Sequence, residues 1–149
     1  FDSEGVNSNT LQLIENGILK NYLVDTYNGK KLNLKSNGRS GGTTNLYFEK
    51  GNISYEDLMK KNSRSLFITE TIGHGSNLVT GDYSVGATGF LVEDGEFKYP
   101  VNEITIAGNF KDMFKNIILA NDLEFEYSVN SPTMMIEGMT VAGKWAVIV

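Results

Sequence analysis

The chain of 149 residues carries 13 Lys and Arg against 18 Asp and Glu, a formal net charge of -5, and 40% of it is hydrophobic. This balance argues against nucleic acid as a partner, because a sequence-independent grip on phosphates needs clustered cations. It holds no Cys, which excludes disulfides, thiolate metal sites and a Cys nucleophile.

The length suits a single domain, 1–149, able to bury a core. No stretch approaches the roughly 20 apolar residues of a membrane span. Phe1 to Gly5 lacks the basic start and apolar run of a signal peptide. The expectation is therefore a cytoplasmic protein with no membrane partner. Phe1 is no initiator Met, and the chain opens as if inside a domain, so it reads as a fragment of a longer protein.

In chain order, alternation from Leu11 to Val24 is broken at Asn16-Gly17, and Asn-Gly between such runs signals a hairpin because both positions accept positive φ. Strands are predicted over 11–14 and 18–24. The polar run Lys35 to Gly42 reads as a loop, and a strand resumes over 44–50. Ser54 ahead of Tyr55-Glu56-Asp57-Leu58-Met59-Lys60-Lys61 predicts a capped helix whose charges suit its dipole. Arg64 to Thr71 is rich in β-formers and predicts a strand. A glycine-rich run from Glu70 to Ser84, continuing to Gly89, is followed by a hairpin over Phe90 to Val101 around Glu93-Asp94-Gly95. Phe110, Met113, Phe114, Ile117 and Ile118 recur at helical spacing, which predicts a second helix over 110–119 capped by Asn109. Thr133 to Val141 reads as a buried strand, and Trp145 to Val149 as another strand or a tail. The sum is an α+β fold, mainly antiparallel sheet or partial barrel built of hairpins with two helices packed on it.

The chemistry, if any, concentrates in the glycine-rich run. Gly73, Gly75 and Gly81 allow close backbone approach, while His74, Asn77, Thr80, Asp82 and Tyr83 supply donors and acceptors for a peptide or another chain. A structural loop explains the same residues. His74 is the sole histidine, and a catalytic zinc needs three protein ligands. Ser76 or Ser84 with His74 and Asp82 has the residue types of a hydrolase triad but no nucleophile-elbow spacing. Arg39 among glycines resembles an anion nest able to hold a carboxylate terminus, or else is a solvated charge. Glu70 reads as an ordinary carboxylate rather than a general base.

Several segments together carry a family likeness: Asp2-Ser3-Glu4-Gly5-Val6, Ile14 to Lys20, Leu34 to Gly38, Gly73-His74-Gly75 to Ser84, Ile104 to Asn109, Asn121-Asp122-Leu123 and Ile136 to Gly143. With these in order, the chain resembles the C-terminal domain of the PmbA (TldE) branch of the TldD/PmbA family. The resemblance implies a subunit of a cytoplasmic TldD/TldE-type metallopeptidase heterodimer that degrades or trims peptides. Family members also bear the label of DNA gyrase modulators. In the TldD branch an HExxxH helix and a later Cys hold zinc, and the PmbA branch lacks that set. Where the Cys would fall, after Leu123, this chain reads Glu124 to Val129 without sulfur.

Three readings follow from the resemblance. The first is a subunit domain with no cofactor of its own, shaping a peptide cleft beside the zinc of a TldD-like partner through the 73–84 loop. The second is a peptidase with metal ligands upstream that include His74. The third is an interaction module acting on a protein such as gyrase.

Overall fold

The computed structural model describes residues 1–143, so the expectation for 145–149 lies outside the described residues. Ten strands and three short helices occur among them. The strands are β1 (Ile14–Glu15), β2 (Ile18–Leu19), β3 (Leu46–Tyr47), β4 (Arg64–Ile72), β5 (Asp82–Glu93), β6 (Glu96–Asn109), β7 (Ile117–Leu119), β8 (Val129–Asn130), β9 (Met134–Ile136) and β10 (Thr140–Ala142). The helices are α1 (Thr26–Leu32), α2 (Tyr55–Met59) and α3 (Phe110–Met113). The α+β class is as expected.

The chain divides into two compact units, Phe1–Leu46 with Tyr127–Val129, and Tyr47–Glu126 with Asn130–Val149. In the first, the predicted hairpin forms, with Asn16 and Gly17 both at positive φ, but its strands pair only Ile14 with Leu19 and Glu15 with Ile18. The remainder of the predicted 18–24 strand is irregular, because its backbone is bound by side chains: Asn37 Oδ1 accepts from Val24 N and Asn37 Nδ2 donates to Tyr22 O. Helix α1 had no counterpart among the predicted elements. Its signals were present: Asp25 accepts from Asn28 N at 2.7 Å as N-cap, and Asn33 ends the helix in the left-handed region. Val24 is the one buried hydrophobic residue described in this unit.

The second unit is built on the antiparallel sheet β10-β6-β5-β4. Along β5, Val85, Ala87, Gly89 and Leu91 are buried alternately, the period-two signature of a half-covered strand. Val85, Ala87, Leu91, Val101, Ile104 and Ile106 form the core, with Leu66, Ile68, Tyr83, Tyr99, Met139 and Val141 packed against it. The register of β5 shifts against both neighbours near Thr88, and against β6 again at Leu91/Val92. At Gly89 a Cβ would sit 2.0 Å from Phe67 O, so a side chain there would push β4 from β5.

Four expectations need correction. The run from Asp82 to Gly89 is not loop but the greater part of β5, because its glycines permit strand packing rather than a turn. The second helix ends after one turn, at Phe110–Met113, because the backbone of Ile117–Leu119 is taken up in pairing with β9. A short apolar run fits either period, and strand pairing decided it. The segment 133–141 is two strands, half-buried at Met134–Ile136, separated by Gly138 at φ 80°. The strand expected over 44–50 is regular only at Leu46–Tyr47. Helix α2 forms behind the expected Ser54 cap, with Ser54 Oγ accepting from Asp57 N at 3.0 Å and Leu58 and Met59 buried, but it ends at Met59, so Lys60 and Lys61 fall beyond its last turn.

Candidate functional site

Between β4 and β5 the residues Gly73–Gly81 project as a loop closed by its own hydrogen bonds. Ser84 N donates to Gly75 O at 2.8 Å and Asn77 N to Asp82 O at 2.8 Å. At Gly75 a Cβ would lie 1.7 Å from Ser84 O, which explains the glycine as a close backbone approach. Asn77 governs the turn beyond. Its Oδ1 accepts from Val79 N at 3.0 Å and Thr80 N at 3.2 Å, and its carbonyl accepts from Gly81 N at 2.8 Å. Self-bonding of this kind lets Asn order a turn without tertiary support.

Asp82 and Asn109 lock the loop to the sheet. Thr80 Oγ1 donates to Asp82 Oδ2 at 2.7 Å, and Asn109 Nδ2 donates to Asp82 Oδ1 at 3.1 Å and to Thr80 O at 3.2 Å. The bond from Thr80, then that from Asn109, hold the Asp82 carboxyl below its ordinary value of 3.8 against a smaller opposing desolvation. Asn109 Oδ1 also accepts from Lys111 N at 3.1 Å, capping α3. Sequence reasoning found Asn109 only as a cap, because its partners Thr80 and Asp82 lie 27 to 29 residues away.

The loop thus brings Asn77, Thr80, Gly81 and Asp82 together. Tyr83 instead turns its ring toward the core and Phe110, centroids 5.5 Å apart. His74 is exposed, and no hydrogen bond or ion pair engages its ring among the described residues. The Asp82 carboxylate is bonded to Thr80 and Asn109 rather than to the imidazole, so the residue types of a triad do not assemble as one. At the tip Leu78 and Val79 are 86% and 95% exposed, two apolar side chains held out on an ordered turn that the sequence reading passed over.

Arg39 belongs to the first unit. Its guanidinium donates to Gly38 O at 2.9 Å and to Asn9 O. The nearby backbone donor Ser40 N gives its hydrogen bond to Asp2 Oδ2 at 2.9 Å. Asp2 also accepts from Glu4 N and Val6 N. Desolvation raises its carboxyl, but the three backbone donors prevail and leave it lowered. An internal carboxylate thus occupies a donor of the glycine-rich segment.

Among the described residues no group of three or more His, Cys, Asp or Glu side chains converges to hold a metal ion. With a single His and no Cys in the chain, the residues present do not fit a zinc site. No helix among the described residues is long and apolar enough to cross a membrane.

Comparison with known proteins gives the class. Residues 1–143 match the PmbA/TldA metallopeptidase C-terminal domain, and the chain belongs to that family. It is 43% identical over 97% of its length to the metalloprotease PmbA of Escherichia coli O157:H7, of which it covers 32%. A Thermotoga maritima protein, solved as a proposed modulator of a DNA gyrase, has a TM-score of 0.87 at 36% identity, over 95% of this chain and 35% of that one. The TldE of Thermococcus kodakarensis has a TM-score of 0.78 at 30% identity, over 95% and 36% of the two chains. The chain therefore spans about a third of the length of the relatives it matches.

Proposed function

We propose that this chain is the C-terminal domain of a PmbA/TldE-like subunit in a cytoplasmic TldD/TldE-type zinc metallopeptidase, and that it shapes a peptide cleft without holding the catalytic metal. The observation that carries the reading is the donor set. A domain of a metallopeptidase family with one His and no Cys has too few zinc-philic ligands to build a centre from these residues alone, which supports the reading that zinc and hydrolysis are supplied by a TldD-like partner. The ordered 73–84 loop, with its exposed tip and exposed His74, is the surface best prepared for contact with substrate or partner, since little conformational entropy remains to be lost there. The substrate class is peptide or unfolded protein.

Co-expression of the full-length protein with a TldD-like subunit tests this. The expected result is a stable complex that cleaves peptides in the presence of zinc, while the PmbA-like protein alone neither cleaves nor retains zinc. Unaided turnover by the isolated intact protein would sink the proposal.

One observation favours a second reading. The His74 ring has no protein partner among the described residues, as a ligand awaiting a metal would. In that reading the protein is a peptidase with further ligands upstream, and it predicts stoichiometric zinc in the full-length protein that is lost on His74→Ala.

A further inference from the structure

The chain contains the dipeptide Asn-Gly three times, at Asn16-Gly17, Asn28-Gly29 and Asn37-Gly38, and the fold treats the three differently. Asn-Gly is the dipeptide in which the following backbone nitrogen attacks the side-chain amide most readily, because glycine offers no Cβ to hinder the approach. Attack needs a side chain free to rotate and a glycine N–H free to act.

At Asn28 neither condition holds. Asn28 Nδ2 donates to Asp25 Oδ2 at 3.1 Å, and Gly29 N is tied to Asp25 O at 2.9 Å within α1, with Gly29 buried. At Asn37 the amide is bound at both ends, accepting from Val24 N at 3.0 Å and donating to Tyr22 O at 2.7 Å. Its neighbour Gly38 is wedged so that a Cβ would meet Asn7 O at 2.4 Å. Asn16 is exposed, nothing among the described residues bonds its side-chain amide, and a Cβ on Gly17 would meet nothing within 4 Å. Its hairpin pairs only two residues with two, so opening costs little.

We infer that Asn16 is a site of spontaneous deamidation, and that the fold protects Asn28 and Asn37 from the same reaction. The Gly17 nitrogen forms a bond to Asn16 Cγ, the Cγ–NH2 bond breaks, and ammonia leaves with the proton given up by the Gly17 N–H. Water then opens the cyclic imide at either carbonyl, restoring an N–H and yielding Asp or isoaspartate. Both products place a new carboxylate beside Glu15, which pairs with Lys20 at 3.1 Å. Isoaspartate also adds a methylene to the backbone of a two-residue turn, which breaks the register of Ile14 with Leu19 and Glu15 with Ile18.

The test is peptide mapping by mass spectrometry after incubation of the full chain at mildly alkaline pH, with a parallel sample in denaturant. In the native protein the Asn16 peptide is expected to exchange –NH2 for –OH, with both Asp and isoaspartyl products, at least about ten-fold faster than the Asn28 and Asn37 peptides, which react only through local opening. In denaturant the three rates converge. An Asn16 peptide that stays intact in the native protein overturns the inference, as does native conversion of Asn28 or Asn37 at a rate comparable to that of Asn16.

Discussion

Asn109 is where the loop, the sheet and a helix start meet. Its amide nitrogen holds Thr80 O and Asp82 Oδ1, while its oxygen caps α3 at Lys111 N. Asn109→Ala removes all three, and the expected loss is about 1–2 kcal/mol in denaturant unfolding, since single bonds and caps are each worth near 1 kcal/mol. Leu78 and Val79 should then lose their fixed presentation, visible as faster amide exchange at Val79–Gly81. Asp82 adds a pH dependence. Its folded pKa lies below the ordinary 3.8, so its contribution is complete above that value and is lost as pH falls through the lowered one. NMR of the loop amides should show order retained below the pH at which free carboxylates protonate, with the transition absent in Asp82→Asn.

At the scale of elements, the sheet depends on glycines where strands crowd. Gly89→Ala would force a Cβ to within 2.0 Å of Phe67 O and should cost about 2–3 kcal/mol through displacement of β4, measured as a fall in the denaturation midpoint. An unchanged midpoint would mean that β4 moves aside freely. The hairpin at Asn16-Gly17, the Ser54 cap of α2 and the β4 strand were all legible in the residues, because each is specified by neighbours in sequence. The end of α3 was not. Ile117 and Ile118 continue the apolar spacing of Phe110 and Met113, yet their backbone pairs with Met135 and Ile136, a contact that no local window contains. Helix α1 was legible in principle from Asp25 and Asn33, but Gly29 in its middle weakens that signal.

At the scale of the whole molecule, the two units differ in how they are held. The unit with β4, β5 and β6 has a contiguous core, and Ile104→Ala, at 1% exposure, should cost about 2–5 kcal/mol. The unit containing residues 1–46 has one buried hydrophobic residue, Val24, and relies on side-chain to backbone bonds such as those of Asp2, Asn37 and Glu4. Its amides are therefore expected to exchange through cheaper local openings than those of β5 and β6; equal protection in hydrogen exchange would refute this. The class of the fold, the single His and absent Cys, and the Asn16-Gly17 and Asp94-Gly95 turns follow from the residues alone, because composition and short-range conformational preference do not depend on what lies far along the chain. Long-range pairing makes Asp82 to Gly89 part of a central strand, turns Tyr83 toward the core and lets Asn109 close the loop. The strand, the Tyr83 packing and the Asn109 closure each depend on a partner many residues distant, and strand pairing is a property of two segments rather than of either alone.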